Sequence, residues 1–252
     1  GALTLAALIF VIVFILTKGL PVLSLDFLFS VPREMGKAGG IGPMLVGSFI
    51  LPLAAIALAL PVGVGTAVYL SEYTREGRAT RAIRFGTDCL AGIPSNIFGL
   101  FGFIFFVSTL RMGFSVMSGA LTLAIMILPT IIRTSEEAIR AVPYSYREVS
   151  FALGATRWET VWKVVLPNAL PGIVTGVMLS IGRAIGETAA VIFTAGSALQ
   201  LRTMSVHFYI LAREGISTAN AYGTAAVLIV AVLVVNAVSY WLMHRFISRR
   251  AR

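Results

Sequence analysis

The sequence predicts an all-α, polytopic membrane protein with six crossings, and three observations carry that prediction. Hydrophobic residues make up 58% of the chain and charged residues only 12%, too few charges to dress a water-soluble fold. The apolar residues come in blocks of twenty or more, long enough for a hydrocarbon layer of roughly 30 Å, rather than in short amphipathic pulses. Lys and Arg sit between those blocks, and mostly on one set of alternating connections.

The first block, about Ala2 to Leu20, opens at Gly1 already inside an apolar run, without Met or a basic flank. A short segment is expected ahead of it. Its spanning length and the lack of a small-residue cleavage site make it a crossing rather than a signal peptide. The second block, Gly42 to Leu70, contains Pro52 and Pro61. The third, Phe85 to Leu110, contains Pro94 and the lone Cys89, expected to be a buried thiol; a single cysteine excludes an intrachain disulfide and a Cys-pair zinc site. The fourth, Gly119 to Ile132, is short and needs its neighbours to complete a crossing. The fifth, Pro167 to Thr194, and the sixth, Tyr222 to Phe246, complete the set. Pro52, Pro61, Pro94, Pro129 and Pro171 predict kinks, tolerated where adjoining helices satisfy the freed carbonyls.

Orientation follows from the basic residues. Arg75, Arg78, Arg81, Arg84, Arg133, Arg140, Arg147, Arg157, Lys163, Arg245, Arg249, Arg250 and Arg252 fall on one side. Lys18, Arg33, Lys37, Arg111, Arg202 and Arg213 fall on the other. The richer side is therefore expected to be cytoplasmic, with both termini on it. The formal charge of +9 then reports topology and contact with anionic lipid. A nucleic-acid reader would instead cluster its cations on a soluble face.

The internal connection, Arg133 to Leu166, carries helix formers, aromatics and paired charges, so it is predicted to be ordered amphipathic helix rather than linker. Gly154 permits a positive φ, which lets two short helices meet at an angle. Glu148 is placed to cap or pair within the first helix, and Leu166 with Pro167 to end the second and begin the fifth span. The product is a bent knuckle at the cytoplasmic surface, or an amphipathic helix lying on the headgroups.

Glu148, Val149, Ser150, then Gly154, then Val164, Leu166 and Pro167 resemble the signature of ABC-importer permeases: E-A-A, three residues, G, nine residues, I, one residue, L-P. The spacing matches; Val149 and Ser150 stand for the alanines and Val164 for isoleucine. The resemblance implies a type I (MetI-like) permease fold, one domain over 1–252 with a core five-helix bundle at 41–246. It also implies coupling helices at 144–166 that dock in a groove of a separate ATPase. Tyr146, Arg147, Glu148, Gly154, Ala155, Trp158, Trp162, Leu166 and Pro167 then carry the coupling role.

In the fifth span, a charged side chain costs about 2.5 to 3.5 kcal/mol at a helix centre even on insertion scales, so Arg183 needs a partner or a purpose. Glu187 is four residues on, placing the two on one helix face where they can neutralise each other. The pair either lines an anion route, where a guanidinium fork suits phosphate and the carboxylate prevents a deep trap, or stitches helices together. Gly172, Gly176 and Ser180, and Gly182 with Gly186, fall in small-xxx-small register for close packing. In the third span Pro94 frees carbonyls. Ser95 and Asn96 either line a route, or Ser95 satisfies the kink.

Leu90 through Gly102 and Arg183 through Ala190 are similar to elements of phosphate-specific permeases. Phe193, Thr194, Ala195, Val206, His207, Tyr209 and Leu211 look more like the PstA-type subunit than its PstC-type sister. This resemblance implies phosphate import by alternating access, with a PstC-type homologous permease, a PstB-type ATP-binding dimer and a PstS-type extracytoplasmic phosphate-binding protein as partners. ATP and magnesium would be held by the ATPase; no cofactor is expected in this chain. No G-x-x-x-x-G-K-[ST] occurs, and the only lysines are Lys18, Lys37 and Lys163, so ATP is hydrolysed elsewhere. His207 and His244 lie too far apart for a metal or acid-base centre, and His207 either packs or docks the outer partner. A membrane enzyme would need a His, Asp or Glu cluster, and a self-contained channel or carrier would work without an ATPase. Another oxyanion such as molybdate or sulfate, or the sister subunit, is the alternative within the family.

Overall fold

The computed structural model of the protein describes residues 1–197 and 202–250, with backbone alone at 239 and 242–250. Arg252 lies outside the described residues, as do the side chains of His244, Arg245, Arg249 and Arg250. The described residues are almost entirely helical. In chain order they form α1 (Ala2–Gly19), α2 (Leu25–Phe29), α3 (Gly42–Val68), α4 (Arg78–Ala91), α5 (Ser95–Gly102), α6 (Val116–Arg140), α7 (Tyr144–Ala152), α8 (Arg157–Thr160), α9 (Leu166–Ile185), α10 (Ala189–Thr194), α11 (Met204–Arg213) and α12 (Thr218–Arg250). Wider π turns extend α3 to Tyr73, extend α5 to Thr109 and join α8 to α9.

Five helices among the described residues are long and apolar enough to cross a membrane: Ala2–Val22, Gly42–Tyr73, Val116–Arg140, Arg157–Ile185 and Thr218–Val238. The expected third span, Phe85 to Leu110 with a kink at Pro94, takes a sharper form than a kinked helix. It is a pair, Arg78–Ala91 and Ser95–Thr109, bent by 100°. Gly92 caps α4, and Pro94, which has no amide to donate and disfavours helix in the residue before it, opens α5. Upstream of the bend the chain is too polar to cross, since Arg78, Arg81 and Arg84 fall within three turns of α4. Cys89, one turn before the bend, is exposed rather than buried.

The fourth crossing is also longer than its apolar core. α6 runs on from Ile132 to Arg140, where its charged last turns pair with Glu76 and Asp88. α6 is the centre of the bundle: Leu123, Met126, Ile127 and Ile131 are all essentially inaccessible. They pack against Leu51, Ala55 and Ile56 of α3 and Val191 of α10. On its other side α6 receives α9 through small residues, as their spacing predicted. A Cβ added to Gly172 would come within 2.5 Å of Ala138 Cβ, and one added to Gly176 would overlap the Thr134 hydroxyl. A Cβ on Gly182 would meet Asn236 Oδ1 of α12 at 3.4 Å, an ordinary contact, and one on Gly186 would approach only the backbone of its own last turn, so the second register packs less tightly than the first. Pro52, Pro61, Pro129 and Pro171 lie inside their helices without ending them.

α1 lies against α12 at the edge of the bundle, and most of its side chains are exposed, as befits a helix bathed in lipid. At the opposite end from the knuckle, α2 and α11 close a small apolar cluster of Phe27, Ile41, Met44 and Met204. It is fixed by Ser48 Oγ, which accepts from the Met204 amide at 2.7 Å.

Candidate functional site

The internal connection folds into two short helices joined by a sharp turn. α7 starts after Pro143 and stops at Leu153, and Gly154 takes φ +84°, the left-handed backbone that only glycine adopts freely. Thr156 then caps α8: its Oγ1 accepts from the Glu159 amide at 3.3 Å, while Glu159 Oε2 accepts from the Thr156 amide at 3.0 Å, a reciprocal cap that fixes the new direction. Ser150, which replaces an alanine of the signature, has a purpose of its own. Its hydroxyl lies 2.8 Å from that of Thr160 in a buried contact that ties α7 to α8 across the turn.

Two expectations for this segment need correction. Leu166 and Pro167 do not end the second helix; Arg157–Ile185 is continuous. The π turn at Val161–Val165 falls just before Pro167, the residue with no amide to donate, so the backbone widens instead of breaking. Glu148 neither caps nor pairs among the described residues; it is exposed in the middle of α7. Tyr146, Trp158 and Trp162 are exposed beside it, and the two indoles pack edge to face, centroids 5.4 Å apart. Arg147 is the exception: it points inward and is 8% exposed. Ala155 is partly exposed in the turn.

Next to the knuckle, a largely apolar groove of about 1020 Å³ runs between α3 and the α8–α9 helix, lined by Val64, Val68, Tyr69, Trp158, Trp162 and Leu166 among others. Behind it, charged groups knit α4 to α6. Arg84 meets Glu136 and Glu76 at 2.8 Å each, and Arg140 meets the same two carboxylates at 3.0 and 3.1 Å. The guanidiniums of Arg84 and then Arg140 hold the exposed Glu76 carboxyl below its ordinary pKa.

At the far end of α9 the expected Arg183–Glu187 pair is not made. Gly186 ends the helix, so Glu187 lies in the break between α9 and α10 and the two residues do not share a helix face. Glu187 Oε1 instead accepts from the amides of Ala189 and Ala190 at 3.1 and 3.3 Å, and its carbonyl accepts from Ser205 Oγ at 2.8 Å. Arg183 is left exposed in the last turn of α9, with no hydrogen bond or ion pair among the described residues. The negative end of the helix dipole favours a cation there. α5 packs along α10 immediately after Glu187: a Cβ on Gly99 would meet Ala189 O at 2.9 Å and Phe193 Cδ2 at 2.8 Å. Ser95 and Asn96 begin that α5, half-buried and exposed respectively, and neither makes a side-chain hydrogen bond among the described residues.

With this geometry in hand, comparison with known proteins is decisive for the family. Residues 59–252 match the family described as binding-protein-dependent transport system inner membrane component. The chain belongs to that family of ABC-importer permeases. A probable ABC transporter permease, YqgI of Bacillus subtilis, is 34% identical over 96% of this chain and 90% of its own length. The phosphate transport system permease protein PstA 1 of Mycobacterium tuberculosis (strain H37Rv) is 36% identical over 85% of this chain and 72% of its own. Among solved structures, the permease fold of a bacterial alginate ABC transporter superposes with a TM-score of 0.71 at 15% identity, covering 97% of this chain and 93% of that one. The inward-facing MetNI methionine transporter gives 0.68 at 22% identity, over 82% and 94%. The fold is that of type I importer permeases, and the PstA-type resemblance holds across most of the chain.

In this permease no group of three or more His, Cys, Asp or Glu side chains among the described residues is arranged to hold a metal ion. His207 is buried at the end of the bundle away from the knuckle, its Nδ1 3.5 Å from Arg202 Nη1, as the packing alternative describes. Burial first, then the neighbouring Arg202 charge, lower its pKa to about 4. The sequence had no signal for the inward turn of Arg147, because its acidic partner, Glu72, lies 75 residues away.

Proposed function

We propose that this chain is a membrane-spanning subunit of an ATP-driven importer that moves inorganic phosphate across the cytoplasmic membrane by alternating access. It works beside a homologous permease, with an ATP-binding dimer docked on the exposed face of α7 and α8 and an extracytoplasmic phosphate-binding protein on the opposite side. Both termini face the cytoplasm in this reading. The observation that carries it is Arg183: an exposed guanidinium with no hydrogen bond or ion pair among the described residues, in the last turn of the spanning helix Arg157–Ile185. A guanidinium on a spanning helix suits a polar cavity or a charged passenger, and its planar fork matches a phosphate oxyanion. The PstA relatives support phosphate over other anions. Glu187, held by α10, and Ser95 and Asn96 at the start of α5 flank the same route.

The test is uptake by the complete transporter in proteoliposomes, with phosphate, sulfate and molybdate as competitors. Phosphate alone should compete strongly, and Arg183→Ala should abolish ATP-dependent phosphate uptake while leaving the ATPase subunits bound. Unchanged uptake by Arg183→Ala would overturn the role given to that residue, and molybdate or sulfate outcompeting phosphate would overturn the substrate.

A further inference from the structure

Arg147 belongs to the segment that meets the ATPase, yet its guanidinium turns away from that surface. Nη2 donates to Glu72 Oε1 at 2.6 Å and to the Ile139 carbonyl at 3.0 Å. Nε donates to both Glu72 oxygens at 3.1 and 3.3 Å, and Nη1 donates to the Val142 carbonyl at 2.8 Å. The two side chains are 9% and 11% exposed. One planar group on α7 therefore binds the π-turn end of α3 through Glu72, the last turn of α6 through the Ile139 carbonyl, and the α6–α7 turn through the Val142 carbonyl. The carbonyls at a helix C-terminus carry partial negative charge, so the cation completes both an ion pair and a helix cap. A lysine could supply the charge but not a fixed fork reaching three acceptor sets.

Around this contact, Ala67 of α3, Ile139 of α6, Val142 in the turn after it, Val165 in the π turn, and Ala169 and Ile173 of α9 form an apolar cluster. One turn further along the same buried face of α7, Ser150 is tied to Thr160 at the head of the continuous α8–α9 helix. A displacement of α7 is thus passed to α3 and α6 by Arg147 and to α9 by Ser150.

We infer that Arg147 is a positioning residue for coupled transport, the pivot through which motion of the knuckle reaches α3 and α6, rather than a contact with the ATPase. This inference rests on the permease reading above, and its failure is distinguishable from failure of that reading.

The experiment compares wild type, Arg147→Gln and Arg147→Lys in the complete transporter in proteoliposomes, with ATP hydrolysis and phosphate uptake measured together. Arg147→Gln should keep the ATPase subunits bound and hydrolysing, while phosphate moved per ATP falls at least tenfold. Arg147→Lys should fall between. Because loss of the fork could simply loosen the fold, a second variant restores the tie without the charge: Glu72→Cys with Arg147→Cys, in a transporter otherwise free of reactive cysteines, bridged by a short bismaleimide. Bridging should recover phosphate moved per ATP relative to the unbridged protein. A wild-type ratio in Arg147→Gln would overturn the inference. So would detachment of the ATPase from Arg147→Gln together with no recovery on bridging, since the residue would then serve docking or folding alone. If the wild-type complex moves sulfate instead of phosphate, the substrate assignment falls, and the same ratios read with sulfate still decide the pivot.

Discussion

Replacing Gly154 separates backbone conformation from bulk. The residue holds φ +84°, and an added Cβ would meet no atom within 4 Å. No clash can therefore arise within the permease, and the whole intrinsic cost is the left-handed backbone, roughly 1–2 kcal/mol for an ordinary L residue. That corresponds to about a 5–30-fold loss in the population of the bent knuckle. Asparagine tolerates this backbone better, and a β-branched residue tolerates it worst. Affinity of the purified permease pair for the ATP-binding subunit, measured by titration in detergent, should then fall in the order Gly, Asn, Ala, Val, with Ala weaker by about 5–30-fold. Thermal unfolding of the membrane bundle should hardly change, because the turn lies outside its core. Alanine docking as tightly as glycine would refute the reasoning, as would asparagine docking worse than valine.

Three further outcomes follow from the packing and the polar contacts. Gly176→Ala should destabilise the bundle by about 1–3 kcal/mol through overpacking against Thr134, read as a lower Tm in detergent. Thr134→Ala should recover part of that loss, since the Thr134 Cβ would still lie 2.7 Å from the new one. Glu187→Gln should leave the α10 cap intact, because an amide oxygen still accepts from Ala189 and Ala190, whereas Glu187→Ala should cost about 1 kcal/mol of local stability; a transport defect in the glutamine variant alone would show that the carboxylate charge matters. His207, lowered to about 4 by burial and Arg202, binds a proton more readily unfolded than folded. Its contribution to stability is complete above an unfolded value near 6.5 and is lost as pH falls toward 4. Protection factors in α11, taken relative to the intrinsic exchange rate at each pH, should fall over that window, and His207→Gln should flatten the response.

The crossings were legible because burial in lipid leaves a compositional trace, and the knuckle because Gly154 and the spacing around it mark a turn. What escaped has identifiable causes. The break at Gly92 and Pro94 was visible as residues, but the apolar average over Phe85 to Leu110 hid a polar helix joined to a short apolar one. The extension of α6 was hidden by its charges, which pair with Glu76 and Asp88 only once the chain has folded. A spacing of four suggested an Arg183–Glu187 pair, yet the intervening Gly186 ends the helix, and periodicity means nothing across a helix end. Arg147 looked like surface because the sequence does not display a partner supplied by α3.

The lone thiol has a practical consequence. Cys89 is exposed on α4, three residues before Gly92, and the chain has no other cysteine. A maleimide dye or spin probe will therefore attach to this polypeptide at one address without any prior mutagenesis. That address sits on the polar arm of a corner whose other arm enters the bilayer. Attached there, a reporter can follow changes in the angle of that corner through the ATP cycle.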